Sequence, residues 1–158
     1  MNDARFNQSP GRTLASLRLL WAMLLLGQVA FGVIVLGLLV SESVAIGAEQ
    51  LYGPLTLVAA AMLAVLTPAG YFIRNQCYKA RWEGHAVAPA GYFKGNVILF
   101  ALLESVAMMA LVTMLVTGRL PVPGLIALVA MMVQAVNFPT GAPMQPHAPD
   151  FASESRPD

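Results

Sequence analysis

Four long apolar blocks constrain this chain more than any other feature. They cover 19–41, 50–73, 95–118 and 120–138. About 20 apolar residues in a helix, rising 1.5 Å each, cross the roughly 30 Å of bilayer hydrocarbon. The first two blocks carry no charge, and the third carries only Glu104. The fourth is the shortest and opens with Pro121 and Pro123, which the first turn of a helix tolerates because an N–H there has no intrahelical acceptor. The expectation is an all-α, four-helix transmembrane bundle over 1–139, followed by a flexible cytoplasmic tail over 140–158.

Composition agrees. The chain is 58% hydrophobic and 11% charged, whereas a soluble domain carries about a quarter charged residues. The longest polar pieces, 74–94 and the tail, are too short to bury a core of their own. A net charge of +1 with no dense basic cluster gives no footprint for nucleic acid. No Gly-rich phosphate loop, His-Glu-x-x-His pair or nucleophile elbow is present, so the chain reads as a non-enzyme without catalytic residues.

No cofactor or metal site is expected. Cys77 is the only cysteine, so it reads as an ordinary reduced thiol. Met108, Met109, Met114, Met131 and Met132 have no His or Cys near them in the spans, and read as gap-filling packing rather than a copper path. His85, among Lys79, Trp82 and Glu83, reads as part of a juxtamembrane turn. His147 reads as solvated in the Pro-rich tail.

The distribution of Lys and Arg sets orientation. Arg5, Arg12 and Arg18 precede the first block, and Arg74, Lys79, Arg81 and Lys94 lie between the second and third. The other two loops hold only Arg119. The positive-inside rule then places the N-terminus and the central loop in the cytoplasm, and four spans return the C-terminus there. Trp21, Tyr52, Tyr71, Phe72, Tyr92, Phe93 and Phe138 fall near span ends, where aromatic rings favour the interface. The first block is far longer than the apolar core of a signal peptide, so it reads as a retained helix despite the small residues Ser43, Val44 and Ala45.

Two finer patterns bear on packing. Val58-Ala59, Ala64-Val65, Pro68 and Gly70 recur at constant spacing as Val129-Ala130, Ala135-Val136, Pro139 and Gly141. The first and third blocks also match in texture, with Gln28 opposite Glu104, as two duplicated helical hairpins would. Small residues at helical spacing (Ala30, Gly37 and Ser41; Ala60 and Ala64) mark faces on which lipid-embedded helices can approach closely. Pro68 interrupts the second block, with Thr67 beside it to satisfy a freed carbonyl.

The polar residues inside the blocks are few: Gln28, Thr67, Glu104, Ser105, Thr113, Gln134 and Asn137. A carboxylate at bilayer depth is costly, so Glu104 is expected to be protonated, paired or turned to a cavity. Counting from span ends puts Gln28 and Glu104 near the midplane and Thr67 and Gln134 in the cytoplasmic half. Glu104, Gln28, Gln134 and Thr67 are therefore the candidate set for a hydrogen-bonded network or for an ion or proton site.

The string from Ala101 through Glu104 to Val116 resembles the ion-carrying helix of rotary ATPase c subunits. That resemblance implies Glu104 as an ion-binding carboxylate. The second block departs from it, having Ala where a c subunit's first helix is Gly-rich, and the central loop lacks the short Arg-Gln/Asn-Pro turn. Over most of its length the chain resembles small bacterial four-span proteins of unknown function. The marks are Leu17–Leu26, Ala101–Glu104 and Phe138-Pro139-Thr140. Two readings follow: a structural or accessory protein that associates with itself or another membrane protein, or a proton- or cation-linked component with Glu104 as carrier.

Overall fold

A computed structural model describes residues 9–41, 48–83 and 86–145. Ser43, Val44, Ala45, His85, His147 and the tail beyond Gln145 lie outside the described residues. The described residues form four helices: α1 (Pro10–Val40), α2 (Tyr52–Lys79), α3 (Pro89–Thr117) and α4 (Pro121–Val136). A two-residue-per-strand hairpin, β1 (Trp82–Glu83) and β2 (Ala86–Val87), joins α2 to α3. The fold is an all-α four-helix bundle, and α1, α2 and α3 are each long and apolar enough to cross a membrane.

Proline starts three of the helices: Pro10, Pro89 and Pro121 each occupy the first turn. Glycine ends α3, where Gly118 takes the left-handed φ of 67° and its N–H bonds back to Met114 O, a conformation that costs glycine nothing. At the basic end the helices overrun the apolar blocks: α1 starts at Pro10 rather than near 19, α2 ends at Lys79 rather than 73, and α3 starts at Pro89 rather than 95. Hydropathy marks only what lies in hydrocarbon. The flanking Arg and Lys are good helix formers that keep the backbone helical beyond it.

α4 is shorter than its block. Its 16 residues span about 24 Å. It stops because Asn137 leaves helical geometry (φ −85°, ψ 38°) and Pro139 disfavours a helical Phe138. The chain beyond does not leave the bundle at 140 as a free tail. Gly141, at φ 84°, donates its N–H to Tyr92 Oη at 3.1 Å, and a short turn over Ala142–Met144 lies on the basic end. The close approach of Leu14, 3.0 Å from where a Cβ on Gly141 would sit, shows how tightly this segment is held.

α3 is the hub, packing against α1, α2 and α4, whereas α1 and α2 scarcely touch. Small residues let the helices close on it: Ala107, Ala110, Ala127, Ala130 and Ala59 are buried with Val35, Val106, Leu111 and Met114 in the half nearer Gly118. A second cluster of Leu17, Val87, Tyr92 and Phe100 seals the basic end. Outward-facing positions are apolar too, including Leu26, Val33, Leu57, Val65, Phe72 and Leu125. A surface of this kind suits lipid and not water.

Two packing expectations change. Ala30, Gly37, Ser41, Ala60 and Ala64 are exposed, and a Cβ added at Gly37 would meet nothing within 4 Å. The close approaches use Gly32, Ala59 and Gly70 instead. α1 faces inward through Gln28, Gly32 and Val35, which turns Ala30 and Gly37 to the far side of a 3.6-residue helix. The halves are also unequal: α3 and α4 pack as a hairpin, and α1 and α2 do not.

Candidate functional site at mid-bundle

Glu104 lies in the middle of α3 and is half-buried. The exposed positions of this hub helix, Lys94, Ala101, Ser105 and Val112, recur at helical spacing and form one stripe. The stripe exists because α1 and α2 stand apart and leave that side of α3 uncovered. Glu104 sits at its edge on the side bordering α1. Leu111, seven residues on and on the same side, closes on Gly32 of α1. Among the described residues the Glu104 carboxyl makes no hydrogen bond or ion pair. Its neighbour Ser105 bonds back to Ala101 O at 2.8 Å within the helix, so it offers Glu104 no proton there.

The other expected partners are engaged elsewhere. Gln28 Nε2 donates to Gln134 Oε1 at 2.7 Å across α1 and α4, and the two residues are 1% and 0% exposed. The amide pair is half complete: Gln28 Oε1 and Gln134 Nε2 are buried without partners, an acceptor and a donor complementary to each other. Thr67, on α2, has a buried Oγ1 with no hydrogen bond, so it does not satisfy a carbonyl freed by Pro68. The structure thus brings Gln28 and Gln134 together and leaves Glu104 and Thr67 outside that pair. Thr113 bonds Met109 O at 2.8 Å within its own helix.

Below this level, side chains tie the helices in a way the sequence did not disclose. α1 is tied to α4 by Trp21 Nε1 to Gln134 O at 2.9 Å and Arg18 Nε to Pro139 O at 3.2 Å. Trp21 also meets Phe138 edge-on at 5.1 Å. α2 is tied to α4 through Asn137, whose Oδ1 accepts from Arg74 Nη1 at 2.9 Å and whose Nδ2 donates to Tyr71 Oη and Val133 O. Arg74 also stacks over the Tyr71 ring at 4.8 Å, a favourable use of the ring face. Asn96 Nδ2 donates to Tyr78 Oη at 2.6 Å, tying α3 to α2. Tyr71, Arg74 and Tyr78 recur at i, i+3 and i+7, which places them on one helix face. That was the available signal.

The methionines do not converge on a shared centre: Met114 is buried in the core, Met131 packs near Gly32, and Met132 faces outward. Among the described residues no cluster of His, Cys, Asp or Glu has metal-binding geometry. No protein-family model, curated protein or solved structure matches the chain.

Proposed function

We propose that this chain is a non-enzymatic accessory membrane protein whose α3 stripe receives a transmembrane helix from a second copy or from another membrane protein. One observation carries the reading: Glu104, at mid-bundle, is half-buried and without a partner at the edge of an uncovered helix face. A bare carboxyl facing hydrocarbon is costly, and a helix that brings a hydrogen-bond donor removes the cost. The small side chains of Ala101 and Ser105 beside it allow close backbone approach. A carrier role for Glu104 has less support, since Gln28 and Gln134 bond each other rather than forming its ligand shell. The positive-inside count favours the basic end on the cytoplasmic side of a bacterial inner membrane.

The test is a photo-crosslinking residue at position 105 in native membranes. A discrete protein adduct, formed by wild type and Glu104→Gln but lost in Glu104→Leu, is the expected result, because Gln retains hydrogen bonding and Leu does not. Adducts to lipid alone, or an adduct unchanged in Glu104→Leu, refute the proposal.

A further inference from the structure

At the basic end, the start of α1, the end of α2 and the first turn of α3 wall a cleft of about 740 Å³. Thr13 and Ser16 come from α1, Cys77 and Arg81 from the α2 end, and Gly91 and Lys94 from α3. We infer that this cleft binds a phosphate group, presented by a lipid headgroup or free in solution.

Charge, shape and hydrogen-bonding capacity agree. Arg81 and Lys94 both line the cleft, and among the described residues neither side chain makes a hydrogen bond or ion pair. Two unpaired cations in one concavity favour an anion, and guanidinium and ammonium donors together suit the several oxygens of a phosphate. Thr13 is only 2% exposed, yet among the described residues its hydroxyl has no hydrogen-bond partner. That hydroxyl is a donor available to an acceptor placed in the cleft. Pro89, Ala90 and Gly91 put the positive end of the long α3 helix in the same wall, which adds to the attraction for an anion. The negative end of α2 opens there as well, and the Arg81 charge offsets it.

The wall is rigid where it matters. A Cβ on Gly91 would fall 2.6 Å from Arg81 Cβ and 2.9 Å from the Cys77 carbonyl oxygen. The Gly91 backbone therefore sits hard against the end of α2, and the root of Arg81 is fixed in the cleft wall. The cleft lies at the helix ends, level with the headgroup region of a bilayer crossed by α1, α2 and α3, where basic pockets between helices recognise anionic lipid.

The experiment is native mass spectrometry of the full chain in detergent with added dioleoylphosphatidylglycerol, using dioleoylphosphatidylcholine as comparison and inorganic phosphate as competitor. Wild type retains phosphatidylglycerol over phosphatidylcholine. Arg81→Gln combined with Lys94→Gln weakens that binding about tenfold, and Arg119→Gln, which removes a charge at the opposite end, leaves it unchanged. Displacement of the lipid by millimolar phosphate identifies the phosphate group alone as sufficient; resistance to displacement identifies the lipid headgroup. Both outcomes uphold the site. Equal binding by the double variant, or an equal loss in Arg119→Gln, overturns it. If circular dichroism shows the double variant unfolded, Thr13→Val decides: a loss of a few-fold without any charge change supports the site, and unchanged binding overturns it.

Discussion

Removing one amide of the Gln28–Gln134 pair and then both separates the hydrogen bond from the burial that surrounds it. The wild-type pair has one bond of 2.7 Å and two buried atoms without partners, Gln28 Oε1 and Gln134 Nε2. Gln28→Leu deletes the bond and one orphan but leaves the whole Gln134 amide bare; Gln134→Leu does the reverse. Leu has nearly the volume of Gln, so neither change opens a large cavity. The double variant removes every buried amide atom at the site and leaves two apolar side chains in apolar surroundings. Interhelical hydrogen bonds in a membrane protein are worth about 0.6 kcal/mol on average and about 1.7 kcal/mol at most. A short bond between residues 1% and 0% exposed belongs in the upper part of that range. Each single variant is therefore expected to lose about 0.8 kcal/mol, while the double matches wild type, for a coupling of about 1.6 kcal/mol. Reversible SDS unfolding followed by circular dichroism gives all four corners of the cycle. Additive losses, with the double variant weakest, refute the reasoning.

Two further perturbations test the packing. Gly91→Ala is expected to destabilise by about 1–3 kcal/mol, because its Cβ meets Arg81 and the Cys77 carbonyl below contact distance and the helices must part. Gly27→Ala meets nothing within 4 Å and is expected to gain up to about 1 kcal/mol from helix propensity; the same SDS titration checks both. Asn137→Leu is expected to cost about 2 kcal/mol or more, since it strips Arg74 Nη1 of its acceptor while Arg74 Nε is already buried without one, whereas Asn137→Asp keeps that acceptor and recovers most of the loss. Thermal unfolding in detergent, with Asn137→Leu no less stable than Asn137→Asp, would contradict this account.

The number of helices, their order and the shortness of the fourth were legible from apolar length and from the position of Pro121. A break in hydropathy or a backbone-specific residue marks each of these, and both are local properties. The inward faces were not legible. α3 is apolar all round, so no amphipathic stripe tells its buried side from its exposed side, and the small residues of α1 that looked like a packing face point outward. Sequence also singled out Glu104, because a charge in an apolar block stands out without any knowledge of its neighbours. Which residues would meet it depended on how the helices rotate and which of them touch. Tertiary structure alone paired Gln28 with Gln134, drew α1 and α2 apart, and brought Thr13, Arg81 and Lys94 to one cleft. In lipid the hydrophobic effect does not select one face of a helix for burial. The choice falls to close packing and to a few polar contacts between residues far apart in the chain.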